Sequence, residues 1–142
     1  MKPTMLQEAI RIATEAHKGQ VDKANQPYIN HLVRVTSLVK GEEAKTVAML
    51  HDVVEDTEIT LEELSEIFPT YIVAAVNAVS RRKNETYFEF IARAARDDLG
   101  QIVKQADVQD HLNNSEAIPA SLIKRYQKAI SILLSTSYRV EQ

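Results

Sequence analysis

Apolar residues recur at intervals of three and four along nearly the whole chain, and this spacing restricts the fold more than any other feature. The spacing places apolar side chains on one face of an α-helix, whereas hardly any stretch alternates with the period of two that a half-buried strand requires. Three segments also begin with a capping box, in which threonine precedes glutamine or glutamate by three residues. These pairs are Thr4 and Gln7, Thr60 and Glu63, and Thr86 and Glu89. The sequence therefore predicts an all-α fold.

The helices are separated by glycines, prolines and short charged turns, and we predict a single bundle of about seven to eight of them. Gly19 is expected to end the first helix, because glycine commonly follows the last helical residue. Continuous helices are predicted over about residues 43–54 and 70–80, the second being apolar nearly all round. Gly100 is expected to separate a helix that begins after Thr86 from one that carries IVKQADVQDHL.

The composition excludes several classes of protein. Cysteine is absent, which rules out disulfides, thiolate nucleophiles and cysteine-ligated zinc. The longest apolar stretches fall short of the roughly 20 residues that span a bilayer, and the N-terminus lacks the apolar core of a secretory signal. The net charge of −3 argues against a general nucleic-acid binder. These features predict a cytoplasmic protein with no nucleic-acid or membrane partner.

Polar residues that could bind a metal interrupt the apolar segment VAMLHDVVEDT. His51 and Asp52 are adjacent, and each is followed four residues later by an acid, Glu55 or Asp56, so that each pair would share one helix face. Imidazole and carboxylate groups on one face suit a divalent cation with a neighbouring acid–base group. The spacing alone is equally compatible with a solvated helix end.

Two further polar residues lie in apolar surroundings. His31 begins a helix directly after a Pro-Tyr turn in PYINHLVRV, and Asp107 lies within an apolar-periodic helix in VKQADVQDHLNN. An unpaired carboxylate would be costly at such a position. A single buried aspartate is more often a hydrogen-bonded structural group than a metal ligand, so the spacing leaves both interpretations open.

The segments AHKGQVDKANQPYINH, HDVVEDT and VKQADVQDHLNN, in this order, resemble the successive motifs of the HD-domain metal-dependent phosphohydrolases. More narrowly, they resemble the hydrolase domain of RelA/SpoT-type alarmone enzymes and its stand-alone form, the small alarmone hydrolases. The resemblance extends over nearly the whole chain, so we expect residues 1–142 to form one HD-type phosphohydrolase domain without a synthetase or regulatory domain. It implies a single manganese ion and removal of the 3′-pyrophosphate from guanosine tetra- or pentaphosphate (ppGpp or pppGpp).

The resemblance also implies roles for individual residues. The four family metal ligands correspond to His31, His51, Asp52 and Asp107. The acidic pair that orients and deprotonates the attacking water corresponds to Glu55 and Asp56. Two nitrogen and two carboxylate ligands suit Mn²⁺ and would also accept Fe²⁺, Co²⁺ or Zn²⁺.

Substrate-binding roles are implied for Lys23, Tyr87, Lys104 and His111, although Lys23 could equally be an exposed loop lysine and Lys104 a structural one. The family usually has Arg-Lys where this chain has Asp22 and Lys23, and asparagine where this chain has His111. Neither difference affects the metal ligands or the acidic pair. Both differences bear on the identity of the substrate.

Three functions therefore compete. The first is a metal-dependent ppGpp hydrolase, and the second keeps the metal site but acts on another nucleotide or phosphoester. The third is a non-catalytic helical module that senses a nucleotide. In each case the expected partner is a small-molecule nucleotide, and the apolar C-terminal helix could pack internally or form a homodimer.

Overall fold

The computed structural model describes residues 2–114 and 118–141, with the side chains of these residues except 136–141. The described chain forms nine helices, and an isolated bridge between Val21 and Pro27 is the only β-type pairing in those residues. The helices are α1 (Met5–Ala16), α2 (Ile29–Ser37), α3 (Glu42–Leu50), α4 (Val53–Asp56), α5 (Leu61–Ser65), α6 (Thr70–Ala78), α7 (Tyr87–Ala94), α8 (Asp98–Asn113) and α9 (Ala120–Glu141). The all-α prediction is confirmed.

The three predicted capping boxes all form. In each, the threonine side chain accepts a hydrogen bond from the backbone N–H three residues later, and the side-chain oxygen of the glutamine or glutamate accepts one from the threonine N–H. These boxes fix the starts of α1, α5 and α7. An N-cap of this kind typically contributes about 1 kcal/mol.

Helix α3 lies at the centre of the larger core, packed against α1, α2, α6 and α8. Its side chains Val47 and Leu50 are fully buried. Helix α6 packs on this core with one face. Its opposite face is open to solvent, as the 49% exposure of Tyr71 shows. A smaller core lies among α7, α8 and α9, built around Phe90 and Leu133. None of the described helices is long and apolar enough to cross a membrane.

The prediction of one continuous helix over residues 43–54 was wrong. The helix is interrupted at His51 and Asp52, which separate α3 from α4. The backbone N–H and the Nδ1 of His51 both bond to the carbonyl of Ala48, at 3.4 and 2.6 Å. Asp52 has φ −107° and ψ 0°, outside the helical range. His51 and Asp52 therefore lie in a turn at the buried end of α3, not on the faces of one helix.

The predicted break at Gly100 was also wrong, because the chain leaves the helical conformation earlier, between α7 and α8. Asp97 caps α8, and its Oδ1 accepts a hydrogen bond of 2.7 Å from the N–H of Gly100 in the first turn. A Cβ atom on Gly100 would lie 3.2 Å from the Cβ of Ala78. The glycine therefore serves the close approach of α8 to α6.

Arg93 on α7 fixes the turn that connects α6 to α7. Its guanidinium forms two hydrogen bonds to the Glu85 carboxylate, at 2.7 and 2.9 Å. It also donates to the carbonyls of Asn77 and Ser80, at 2.8 and 2.7 Å. The hydrogen bonds from Arg93 lower the pKa of Glu85 to about 2. This turn carries Arg81, whose backbone contacts the acidic segment of α4.

Replacing Arg93 should destabilise the fold, because Arg93→Ala leaves a carboxylate and two carbonyls without their charged donor. We expect the free energy of unfolding to fall by about 2–3 kcal/mol, measured by urea denaturation. The matched control is Arg96→Ala on the exposed Arg96, which should change stability by less than about 0.5 kcal/mol. Equal losses in the two variants would contradict this role.

Candidate metal centre

Four predicted site residues from separate parts of the chain meet at one point. His31 lies in the first turn of α2, His51 and Asp52 in the turn before α4, and Asp107 in α8. His31 Nε2 lies 3.0 Å from Asp107 Oδ1 and 3.8 Å from Asp52 Oδ2. His51 Nε2 lies 3.0 Å from Asp52 Oδ2 and 3.3 Å from Asp107 Oδ1. Two nitrogens and two carboxylate oxygens thus face one another.

The imidazole of His31 is oriented by Asp110, one helical turn beyond Asp107. His31 Nδ1 donates a 2.7 Å hydrogen bond to Asp110 Oδ2, which leaves Nε2 facing the other carboxylates. Asp110 in turn accepts hydrogen bonds from Arg34 and Asn114, at 2.9 and 2.8 Å. A carboxylate behind a ligating histidine is common at metal sites, where it fixes the tautomer and strengthens the ligand.

His51 provides the test of whether these residues suit a cation. Its Nδ1–H donates to the Ala48 carbonyl, so the lone pair of the neutral ring lies on Nε2. His51 is 1% exposed, and the nearest polar atoms to its Nε2 are carboxylate oxygens of Asp52 and Asp107, at 3.0 and 3.3 Å. A buried nitrogen lone pair beside two carboxylate oxygens is a donor set that fits a divalent cation. The His and Asp groups therefore suggest divalent metal binding.

The charges of the cluster stabilise one another. Burial would raise the pKa of Asp52, but the adjacent His51 lowers it to about 2. Burial would likewise raise the pKa of Asp107, yet Lys104 and His51 hold it well below the ordinary range. The pKa of each histidine is raised, because the neighbouring aspartates outweigh the effect of burial. A cation at this point would compete with protons for the two nitrogens.

Tyr28 adds a further contact to the cluster, since its hydroxyl donates to Asp52 Oδ2 at 2.5 Å. Burial and the charge of Asp52 raise the pKa of the phenol, so it stays protonated as a donor. The contact with Asp52, 24 residues away in sequence, has no local signal.

Glu55 and Asp56 lie on α4, next to the cluster. Glu55 Oε1 accepts a hydrogen bond from the backbone N–H of Arg81, and the carbonyl of Asp56 accepts one from Gln20 at 2.9 Å. Both residues are exposed as a whole, yet partial desolvation of each carboxyl group raises its pKa, and the charge of Asp52 raises it further. A raised pKa makes a carboxylate a better proton acceptor.

The residues predicted to bind substrate fall into two groups. Lys23 and His111 line a cavity of about 770 Å³ that reaches His31 and extends to Tyr126 on α9. Lys104 is instead buried, with its Nζ 2.7 Å from Asp107 Oδ2. The hydroxyl of Tyr87 is buried and forms no hydrogen bond to a described residue.

Asp22 also borders this cavity, but its carboxylate is used by its own loop. Its Oδ1 accepts hydrogen bonds from the N–H groups of Ala24 and Gln26, both at 2.9 Å. This turn positions the neighbouring Lys23. The acid at position 22 is therefore part of the loop structure.

Sequence reasoning missed Asp110, Arg34 and Arg125. The spacing of Asp107 and Asp110 on one apolar-periodic helix could have indicated that both acids face inwards. Arg125 stacks on the ring of Tyr87 at 3.7 Å from its centroid, and its Nε is buried without a hydrogen bond to a described residue. An arginine on α9 gives no sequence signal for this contact.

A comparison with protein families identifies the fold family. A family model described as the HD domain matches residues 9–118, a range that includes all four residues of the cluster. The chain belongs to the HD-domain family. A solved structure described as a metazoan orthologue of SpoT that hydrolyses ppGpp aligns with this HD domain at a TM-score of 0.76 and 23% identity. The alignment covers 96% of this chain and 87% of the other, and shows that the two share a fold.

Several curated proteins are related to this HD domain. The guanosine-3′,5′-bis(diphosphate) 3′-pyrophosphohydrolase of Haemophilus influenzae is 34% identical, over 68% of this chain and 16% of that protein. A probable GTP pyrophosphokinase of Mycobacterium leprae is 26% identical, over 96% of this chain and 19% of its own length. The guanosine-3′,5′-bis(diphosphate) 3′-pyrophosphohydrolase of Danio rerio is 35% identical, over 56% of this chain and 49% of that protein. The HD domain thus spans less than a fifth of the two bacterial relatives.

The hydrogen bond from Tyr28 should stabilise this HD domain, because its acceptor is a charged carboxylate in the cluster. We expect Tyr28→Phe to lower the free energy of unfolding by about 1–2 kcal/mol, measured by urea denaturation in a chelating buffer. Tyr71→Phe on α6 is the control, because it removes a hydroxyl whose hydrogen bond to Glu43 is exposed to solvent, and it should have little effect on stability. A Tyr28→Phe variant as stable as the starting protein would contradict this role.

Proposed function

We propose that this HD domain is a divalent-metal-dependent hydrolase that removes the 3′-pyrophosphate from ppGpp or pppGpp, giving GDP or GTP and pyrophosphate. The observation that carries the proposal is the buried Nε2 of His51, which lies 3.0 Å from Asp52 Oδ2 and 3.3 Å from Asp107 Oδ1, with two acids of raised pKa close by. The names of the Haemophilus influenzae and Danio rerio relatives supply the substrate. Residues 1–142 would act as one hydrolase domain.

The proposed metal ligands are His31 Nε2, His51 Nε2, Asp52 Oδ2 and Asp107 Oδ1. Mn²⁺ is the expected ion, and Fe²⁺, Co²⁺ or Zn²⁺ would suit the same donors. When bound, the cation would neutralise negative charge on the phosphoryl oxygens and acidify a coordinated water molecule. Asp110 and the Ala48 carbonyl would hold the two imidazoles in the tautomers that ligation needs.

Glu55 and Asp56 are the proposed proton acceptors. The oxygen of the attacking water would form a bond to the phosphorus attached to the 3′-oxygen, and a carboxylate would take the water's proton. The bond between that phosphorus and the 3′-oxygen would break, and the 3′-oxygen would take a proton from solvent and leave as the ribose hydroxyl, while the carboxyl group would release its proton to solvent. The N–H of Arg81 would hold Glu55 Oε1 in place, leaving Oε2 for the water.

The remaining predicted residues would bind and position the substrate. Lys23 and His111 line the cavity and could contact the nucleoside. The Tyr87 hydroxyl, with Arg125 stacked on its ring, offers an unused donor for a phosphate oxygen. Because the ammonium group of Lys104 bonds Asp107, we propose that it acts mainly by holding that ligand and by adding positive charge.

A second candidate keeps the same chemistry on another nucleotide or phosphoester. It is favoured by His111 on the cavity wall, at a position where the family that the sequence resembles usually has asparagine. Comparing guanine and adenine nucleotides that carry the same 3′-pyrophosphate would distinguish the two substrates. A non-catalytic nucleotide sensor would bind such nucleotides without releasing pyrophosphate.

The first test is the release of pyrophosphate from ppGpp by the purified protein. We expect release in the presence of Mn²⁺, loss of release on addition of a chelator, and loss in His51→Ala, with GDP and pyrophosphate separated by anion exchange. Metal binding without release from ppGpp would exclude this substrate and favour the second candidate. Absence of both metal binding and release would exclude a metal-dependent hydrolase.

The role of Glu55 can be separated from metal binding. Glu55→Gln removes the proton acceptor but no proposed ligand, so kcat should fall by about 10²–10⁴-fold while the affinity for Mn²⁺ is retained. Glu58→Gln, at an exposed acid just beyond α4, is the matched control and should keep kcat. Equal kcat values for the two variants would show that Glu55 is not the acceptor.

A further inference from the structure

His111 places a third imidazole beside the proposed metal centre. It lies on α8, four residues after Asp107, and its Nε2 is 3.4 Å from Asp107 Oδ1. Donor atoms of His31, Asp107 and His111 all lie within 4.8 Å of one another. His31, His51 and Asp52 form a second group within the same limit. The two groups share His31, so they converge on one region.

The ring of His111 is held by stacking on both sides. It stacks on His31 with a centroid distance of 4.9 Å and on Tyr126 with one of 5.6 Å, and the interplanar angles are 28° and 11°. Stacking fixes the plane of the imidazole and directs its Nε2 edge towards Asp107. The side chain is 42% exposed, so the ring is not required to fill the core.

We infer that His111 is a fifth protein ligand of the cation held by His31, His51, Asp52 and Asp107. This inference rests on the metal centre proposed above. Two donors on one ion lie about 3 Å apart when adjacent and about 4.2 Å apart when opposite, given bond lengths of about 2.1 Å. The 3.4 Å between His111 and Asp107 falls between these limits.

Both groups include His31, and its Nδ1 is engaged by Asp110, so Nε2 is the nitrogen left for a cation. One lone pair cannot bind two ions, which favours one ion with an additional ligand over two separate ions. Three imidazoles and two carboxylates also change the expected preference among metals. Imidazole favours Zn²⁺, Fe²⁺ and Co²⁺ more strongly than Mn²⁺, so His111 should strengthen binding of the first three most.

The inference can be tested by metal binding without any substrate. Chelator-treated protein would be titrated with Co²⁺ and with Mn²⁺ in competition with a metal-binding dye, and the visible spectrum of bound Co²⁺ would be recorded. His111→Phe keeps a ring for stacking but no nitrogen, and His111→Asn installs the residue usual in the related hydrolases. Asn113→Ala, at another residue of the cavity wall, is the control.

We expect one ion per chain and a Co²⁺ affinity at least tenfold lower in both His111 variants, with a smaller loss for Mn²⁺ and an altered Co²⁺ spectrum. Asn113→Ala should match the starting protein. Unchanged affinity and spectrum in His111→Phe would overturn the inference alone, since stacking would then be the role of His111. Two ions per chain would overturn the shared ion, and no binding by the unaltered protein would overturn the metal centre itself.

Discussion

The carboxylates of Asp52 and Asp107 lie largely buried where α2, α3 and α8 meet, and a buried carboxylate without a partner is costly. The negative charge of Asp52 is compensated by His51 and by the hydroxyl of Tyr28. The charge of Asp107 is compensated by Lys104 and by both histidines. The packing of α3 against its neighbours brings these groups together. The surrounding helices keep these opposite charges in contact. A divalent cation would add positive charge beside the two carboxylates and compensate them further.

A second layer of contacts orients the cluster. Asp110 holds His31, the Ala48 carbonyl holds His51, and Lys104 holds Asp107. Partners of this kind lock side chains that would otherwise rotate, and their loss at metal sites commonly costs as much affinity as that of a weak ligand. Arg93 on α7 contributes indirectly. It fixes the turn that carries Arg81, and the backbone N–H of Arg81 donates to Glu55.

Local signals in the sequence were sufficient for the fold class but not for the details of the site. The three capping boxes could be predicted because a threonine and an acid or amide three residues apart bond to each other's backbone, a contact that depends on local sequence alone. The break at His51 and Asp52 was missed because a bond from an imidazole to a nearby carbonyl leaves the apolar period unchanged. The break predicted at Gly100 was misplaced, because Asp97 caps α8 three residues earlier. Gly100 therefore lies in the first turn of that helix.

The residues of the candidate site were selected by their resemblance to family motifs, and geometry brought His31, His51, Asp52 and Asp107 to one point. Tyr28, Asp110 and Arg125 could not be selected in this way, because their roles depend on contacts across the fold. Asp22 shows the reverse case: a departure from the family pattern is explained by two short bonds within its own loop.

The separation of His31 from Asp107 and Asp110, 76 and 79 residues along the chain, has a consequence for folding. No fragment that lacks α8 can assemble the cluster, and loop closure over such a distance is slow compared with helix formation. Because the proposed ligands come from α2, from the turn after α3 and from α8, a cation would bind only when these helices are docked and would stabilise the docked state. Depleting the ion should then loosen the junction of α2 and α8 before it affects α5, which packs on α6 away from the cluster.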